Sequence, residues 1–87
     1  MPFAVIFSNQ AKKDAQNIKH SGLKEKTEYL LNILANNPFQ NPPPYEKLLG
    51  NFKGSYSRRI NLRHRLIYQV DKQAKEVRVL NMWTHYE

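Results

Sequence analysis

Between Asn37 and Tyr45 the chain reads Asn-Pro-Phe-Gln-Asn-Pro-Pro-Pro-Tyr, four prolines in nine residues. Each proline lacks a backbone donor and fixes φ, so neither a helix nor a central strand can run through this stretch. The segment predicts a stiff surface loop that delivers Glu46 to Leu49 to a fixed place. It also splits the chain into a first half with helical spacing and a second half with strand-like alternation.

Before the loop, residues 3–7 are aromatic, β-branched or small and predict a short buried strand. Ser8 and Asn9 offer an N-cap. Ala11, Ala15 and Ile18 then recur at helical spacing, and Gly22 ends the pattern after Lys19 and His20. Leu23, Thr27, Leu30, Leu31 and Leu34 define one face of a second helix, which stops at Asn36-Asn37-Pro38. Two helices joined at one glycine make a hairpin able to cover one face of a sheet.

After the loop come three strand-like runs, Ser55–Asn61, His64–Val70 and Glu76–Trp83, with turns at 61–63 and 71–75. Connections this short imply antiparallel pairing. In the last run Val77, Val79, Asn81 and Trp83 alternate with Arg78, Leu80 and Met82. In the run before it, Leu66, Tyr68 and Val70 are the core-like set, which puts Arg65 on the open face. The expectation is one α+β domain over residues 1–87, ordered β-α-α-β-β-β, with an antiparallel sheet and an N-terminal helical hairpin on one face. A length of 87 residues with 40% apolar content allows one core and no second domain.

The charge is asymmetric. The chain carries a net +7, and Lys53, Arg58, Arg59, Arg63 and Arg65 follow one another with no intervening acid. Such a cluster draws polyanions, and arginine suits phosphate better than a merely solvated face requires. A nucleic-acid partner, RNA in particular, is the favoured reading. The chain has no cysteine, which excludes disulfides and thiolate metal sites. No phosphate-binding glycine loop, dinucleotide fingerprint or zinc spacing occurs, and His20, His64 and His85 are scattered. The N-terminal apolar run is too short for a signal peptide or membrane span, so a cytosolic location without membrane contact is expected.

Chemistry on RNA without cofactors is possible because RNA carries its own nucleophile, the 2′-hydroxyl. Cleavage then needs a base, an acid for the leaving 5′-oxygen and a cation at the phosphoryl oxygens. Glu46 is the only acid between Glu28 and Asp71. It is either that base or a salt-bridge partner of a nearby arginine. The arginines are either phosphate ligands or surface charge, with at least one expected to be a ligand. His64 fits a packed role. Tyr56 and Trp83 are either base-stacking platforms or half-buried sheet residues, and Tyr86 is a further candidate platform.

The run from Gly54 to Tyr68, Gly-Ser-Tyr-Ser-Arg-Arg-Ile-Asn-Leu-Arg-His-Arg-Leu-Ile-Tyr, closely resembles the central strands of the YoeB/Txe toxins of bacterial toxin–antitoxin modules, within the RelE-like superfamily. The preceding Asn37-Pro38-Phe39, the segment Tyr45-Glu46-Lys47-Leu48 and the terminal His85-Tyr86 fit the same family in the same order. The resemblance covers essentially the whole chain.

It implies a RelE-like fold and a metal-independent, ribosome-dependent endoribonuclease that cuts mRNA in the ribosomal A site and is silenced by a cognate antitoxin of YefM/Phd type. Carried over by position, Glu46 is the general base, Arg65 stabilises the phosphoryl group and His85 is the general acid, although base and acid can exchange roles. Arg59 assists Arg65, Tyr86 orients the substrate, and Lys47, Arg58 and Arg63 are further RNA contacts. A homodimer is also implied. Two departures stand out: Leu49 occupies a position where many relatives have lysine, and Glu87 extends the chain past His-Tyr. Two non-cleaving alternatives stay open, a gyrase-directed inhibitor of the ParE kind and an inactive antitoxin-binding relic.

Overall fold

A computed structural model of the chain describes residues 2–84, without the Thr84 side chain. The elements are β1 (Ala4–Phe7), α1 (Asn9–Lys19), α2 (Lys24–Asn36), β2 (Glu46–Lys47), a single 3-10 turn (Gly50–Phe52), β3 (Tyr56–Arg59), β4 (Arg65–Asp71) and β5 (Glu76–Thr84). The strands form one sheet in the order β1-β5-β4-β3-β2. Helix, loop and meander follow the expected sequence of elements.

Local chemistry explains the boundaries. The Ser8 hydroxyl accepts from the Ala11 amide, capping α1, and donates to the Leu80 carbonyl of the sheet. Gly22 turns the hairpin at φ +81°, a left-handed conformation that a Cβ disfavours. Asn61 Oδ1 accepts from the amides of Arg63 and His64, closing the β3–β4 turn. Asp71 Oδ1 does the same for Gln73 and Ala74 between β4 and β5.

The short strand β2 is a fifth strand where four were expected. Two further features depart from the sequence reading. The sheet is mixed, because β1 joins β5 in parallel, with Val5 opposite Val77. The helical hairpin sends the chain back so that β2 opposes β1. Three further reversals then bring β5 into the direction of β1, and only parallel pairing is possible. The second departure is the alternation in β5. Val77 and Val79 enter the core, and the next core residue is Met82, from the alternate set. The β4–β5 register shifts between Arg65 and Tyr68, and such an irregularity exchanges the faces of the strand.

Asp14 belongs to this irregularity. It is buried on α1, and its Oδ2 accepts from the Met82 amide at 2.9 Å while Oδ1 accepts from Gln10 Nε2. A carboxylate thus satisfies a β5 amide at the disturbed stretch of the ladder.

The helices cover one face only. Ala11, Ile18, Leu30 and Leu34 pack with Leu66, Tyr68, Val77, Val79 and Met82. Each fully buried leucine contributes about 2 kcal/mol. Alternation along β4 sends Arg65 and Ile67 to the opposite face, as expected for Arg65.

Candidate active site

The site lies on the sheet face away from the helices, and the proline loop leads the chain into it through β2. Arg58 accounts for the path of that loop. Only 1% of its surface is exposed. Its Nη1 donates to the Pro43 carbonyl at 2.6 Å. Its Nη2 donates to the carbonyls of Pro38 and Gln40 at 3.0 and 2.9 Å, and its Nε to the Tyr68 hydroxyl at 3.2 Å. The Tyr68 hydroxyl in turn donates to Pro38 O. Three loop carbonyls therefore converge on one planar fork, a geometry that lysine cannot reproduce. Burial pushes the Tyr68 hydroxyl up to about 12, against the opposing pull of the Arg58 guanidinium.

This placement corrects the expectation that Arg58 contacts RNA: its guanidinium is enclosed and bonded to the domain's own backbone. Tyr56 is likewise a half-buried sheet residue. It packs edge-on against Phe39 and Tyr45 and stacks on Tyr68, with ring centres 5.4 to 5.9 Å apart. The loop is thus clamped at its carbonyls and at its rings before the chain enters β2.

That clamp places Glu46. In β2, Glu46 pairs with Ser57 and Lys47 with Tyr56. Ser57, Arg59 and Arg65 then share the face of Glu46, because Arg59 and Arg65 are cross-strand partners and the Ser57 partner is Ile67. Arg65 Nη1 lies 3.5 Å from Glu46 Oε2. The carboxylate is two-thirds exposed and the arginine mostly covered, with 66% and 21% of the side chains accessible. The salt-bridge reading of Glu46 therefore holds, and its carboxylate still faces solvent. Arg59 is exposed and has no ion-pair partner among the described residues.

The remaining candidates are less concentrated. Lys47 is exposed, but alternation along β2 turns it to the face opposite Glu46. Arg63 is exposed in the β3–β4 turn. Leu49, the departure from lysine, is 75% exposed. Trp83 is half-buried and stacks on His64 with ring centres 3.8 Å apart and planes 15° apart. β5 ends with Thr84 opposite Arg65. The expectations for His85, Tyr86 and Glu87 fall on the next residues and lie outside the described ones.

Sequence reasoning missed Ser57. It is buried beside Glu46 in the register, and its hydroxyl has no hydrogen-bond partner among the described residues. The signal was available, because any residue two before Arg59 in a strand shares its face. Among the described residues no cluster of three or more histidine or acidic side chains could hold a metal ion, and no helix is long and apolar enough to cross a membrane.

Comparison with known proteins supplies the family. A sequence model of the YoeB-like toxin of bacterial type II toxin–antitoxin systems matches residues 7–86. The toxin chain of a YoeB–YefM complex from Staphylococcus aureus is 31% identical, with 99% of this chain and 100% of that chain covered and a TM-score of 0.80. A YoeB dimer from the same organism matches at the same identity and coverage with a TM-score of 0.82. A YoeB/ParE toxin from Agrobacterium tumefaciens, 24% identical over 97% of this chain and 100% of that one, has the same fold at a TM-score of 0.87. No curated protein sequence matches the chain. The chain therefore belongs to the YoeB-like toxin family of bacterial type II toxin–antitoxin systems, within the RelE-like superfamily.

Proposed function

We propose that the protein is a ribosome-dependent endoribonuclease that cuts mRNA in the ribosomal A site, stops translation and is silenced by a cognate antitoxin of YefM type. The observation that carries this reading is the contact between Glu46 and Arg65, with Arg59 beside Arg65 on the same open face. A solvent-facing carboxylate next to a fixed cation provides a base and a phosphoryl ligand in one place.

In this reading Glu46 takes the proton of the 2′-hydroxyl as the 2′-oxygen bonds to phosphorus. The bond from phosphorus to the 5′-oxygen breaks, and His85 gives that oxygen its proton. Arg65, with Arg59, balances the charge on the non-bridging oxygens. The products are a 2′,3′-cyclic phosphate and a 5′-hydroxyl. The reaction consumes no water and uses only the chain's own side chains.

Leu49 favours a second reading, a non-cleaving relic that still binds an antitoxin, because an exposed apolar residue stands where the family lysine would add positive charge. A reconstituted translation system separates the two. Primer extension should reveal new mRNA ends at the A-site codon with the unsubstituted chain. Those ends should fall about 100-fold or more with Glu46→Gln, Arg65→Ala or His85→Ala. Intact message with the folded, ribosome-bound chain would establish the relic.

A further inference from the structure

At the β3–β4 end of the sheet, between the proline loop and Lys26 of α2, lies a groove of about 430 Å³ that shares only Arg59 with the scheme above. One wall is Pro43 and Pro44, from the loop that Arg58 clamps. The other is Ile60 and Leu62, at the β3–β4 turn, and Lys26 and Arg59 complete the lining. We propose that this groove is a nucleotide subsite for the RNA strand, holding the base next to the scissile bond between the prolines and Leu62 and its phosphate at Arg59 and Lys26. The inference rests on the cleavage reading for its substrate, but not for its geometry.

Three observations carry it. Leu62 is 90% exposed, so a large apolar side chain stands in water on a turn that needs no such residue. The turn itself is held by Asn61 Oδ1 and leaves the Leu62 side chain uncommitted. Apolar walls with a few placed polar groups are the usual make-up of a small-ligand site, and a single base fits the volume.

The second observation is charge. The groove has two cations and no acid in its lining, which suits a phosphodiester and not a neutral side chain. The third is continuity. Arg59 is both a wall of the groove and the cross-strand partner of Arg65. Arg59 is therefore the one residue through which a strand with its scissile phosphate at Arg65 would meet the groove. Pro43 is fixed by its 2.6 Å bond from Arg58, so the wall is in place before substrate arrives.

The test is a nuclear magnetic resonance titration of the Glu46→Gln chain with an uncleavable trinucleotide RNA carrying a 2′-O-methyl group at the middle position. The amides of Ile60, Asn61, Leu62 and Lys26 should shift. Leu62→Ser, on the fully exposed tip, should keep the fold and weaken binding about fivefold. Ala74→Ser, in the distant β4–β5 turn, should change nothing. Silent amides at 60–62 while those near Arg65 respond, or unchanged affinity in Leu62→Ser, would overturn the subsite. So would no response to RNA together with shifts at 60–62 on adding an acidic peptide, which would assign the groove to a protein partner. Primer extension on ribosomes reports on cleavage separately: binding at 60–62 without cutting overturns the cleavage reading alone, and cutting without involvement of 60–62 overturns the subsite alone.

Discussion

Arg58 Nη1 donates to the Pro43 carbonyl at 2.6 Å, and this bond holds the chain three residues before Glu46. The same guanidinium serves Pro38 and Gln40, so one side chain of β3 fixes the loop that leads to the proposed base. Among the described residues no carboxylate forms an ion pair with Arg58. Its charge is stabilised by carbonyl dipoles and by the face of the Tyr45 ring, whose centre is 5.0 Å away.

Arg58→Ala should therefore destabilise the fold by at least about 3 kcal/mol, since several buried acceptors lose their donor at once. Arg58→Lys should recover only part of that loss, because an ammonium cannot present the planar fork. Urea unfolding measures both. At temperatures where Arg58→Lys is folded, cleavage should still fall, because Glu46 is held less firmly. Full activity in that variant would separate the clamp from the chemistry.

Arg58 also shows where sequence reading ends. Two adjacent arginines look equivalent in a chain, yet a strand sends them to opposite faces. Arg59 pairs with Arg65 and Arg58 with Leu66. The core assignment of Leu66 therefore implied that Arg58 points inward, but only once the pairing register was known. The helices, the proline break and the meander were legible because each rests on local periodicity or turn chemistry. The parallel partner of β1 was not, because strands more than 70 residues apart meet through the whole topology. The change of face near Met82 was hidden for a similar reason: it goes with a register shift against β4 and with an amide whose acceptor, Asp14, lies on another element.

That carboxylate makes a prediction of its own. Asp14→Ala leaves the Met82 amide buried without an acceptor and should cost about 1–3 kcal/mol. Asp14→Asn keeps an acceptor oxygen in place and should recover most of that loss. Denaturant midpoints decide the matter. An alanine variant as stable as the parent would mean that the amide finds another partner.

Arg59 and Arg65 should govern antitoxin binding as well as RNA. An acidic antitoxin segment laid over this face would neutralise the two cations proposed to hold the mRNA phosphate. Arg59→Glu should weaken the co-expressed antitoxin about tenfold or more, and higher salt should narrow the difference. Calorimetry at two ionic strengths measures both effects. Affinity unchanged by reversal at Arg59 and at Arg65 would place the inhibitory contact elsewhere on the domain.

The last prediction follows from the Tyr68 hydroxyl, which burial pushes from 10.0 up to about 12. The folded chain keeps this proton at pH values where the unfolded chain has released it. Unfolding therefore releases a proton between about pH 10 and 12. The associated stability is fully present below about pH 10 and is lost as the pH rises through the folded value, by a total of about 3 kcal/mol. Lysines also titrate in this window, so the parent curve alone does not isolate the tyrosine. Tyr68→Phe does. It should be less stable than the parent at neutral pH by about 1–2 kcal/mol, because Arg58 Nε loses its acceptor. It should then lose less on further addition of base, so that the two stabilities meet at about pH 11 and the variant is the more stable above it. Tyrosinate absorbance followed alongside unfolding gives the check. Parallel curves for parent and variant across the window would show that Tyr68 titrates at its ordinary value, and that the clamp around Arg58 is more open to water than its burial implies.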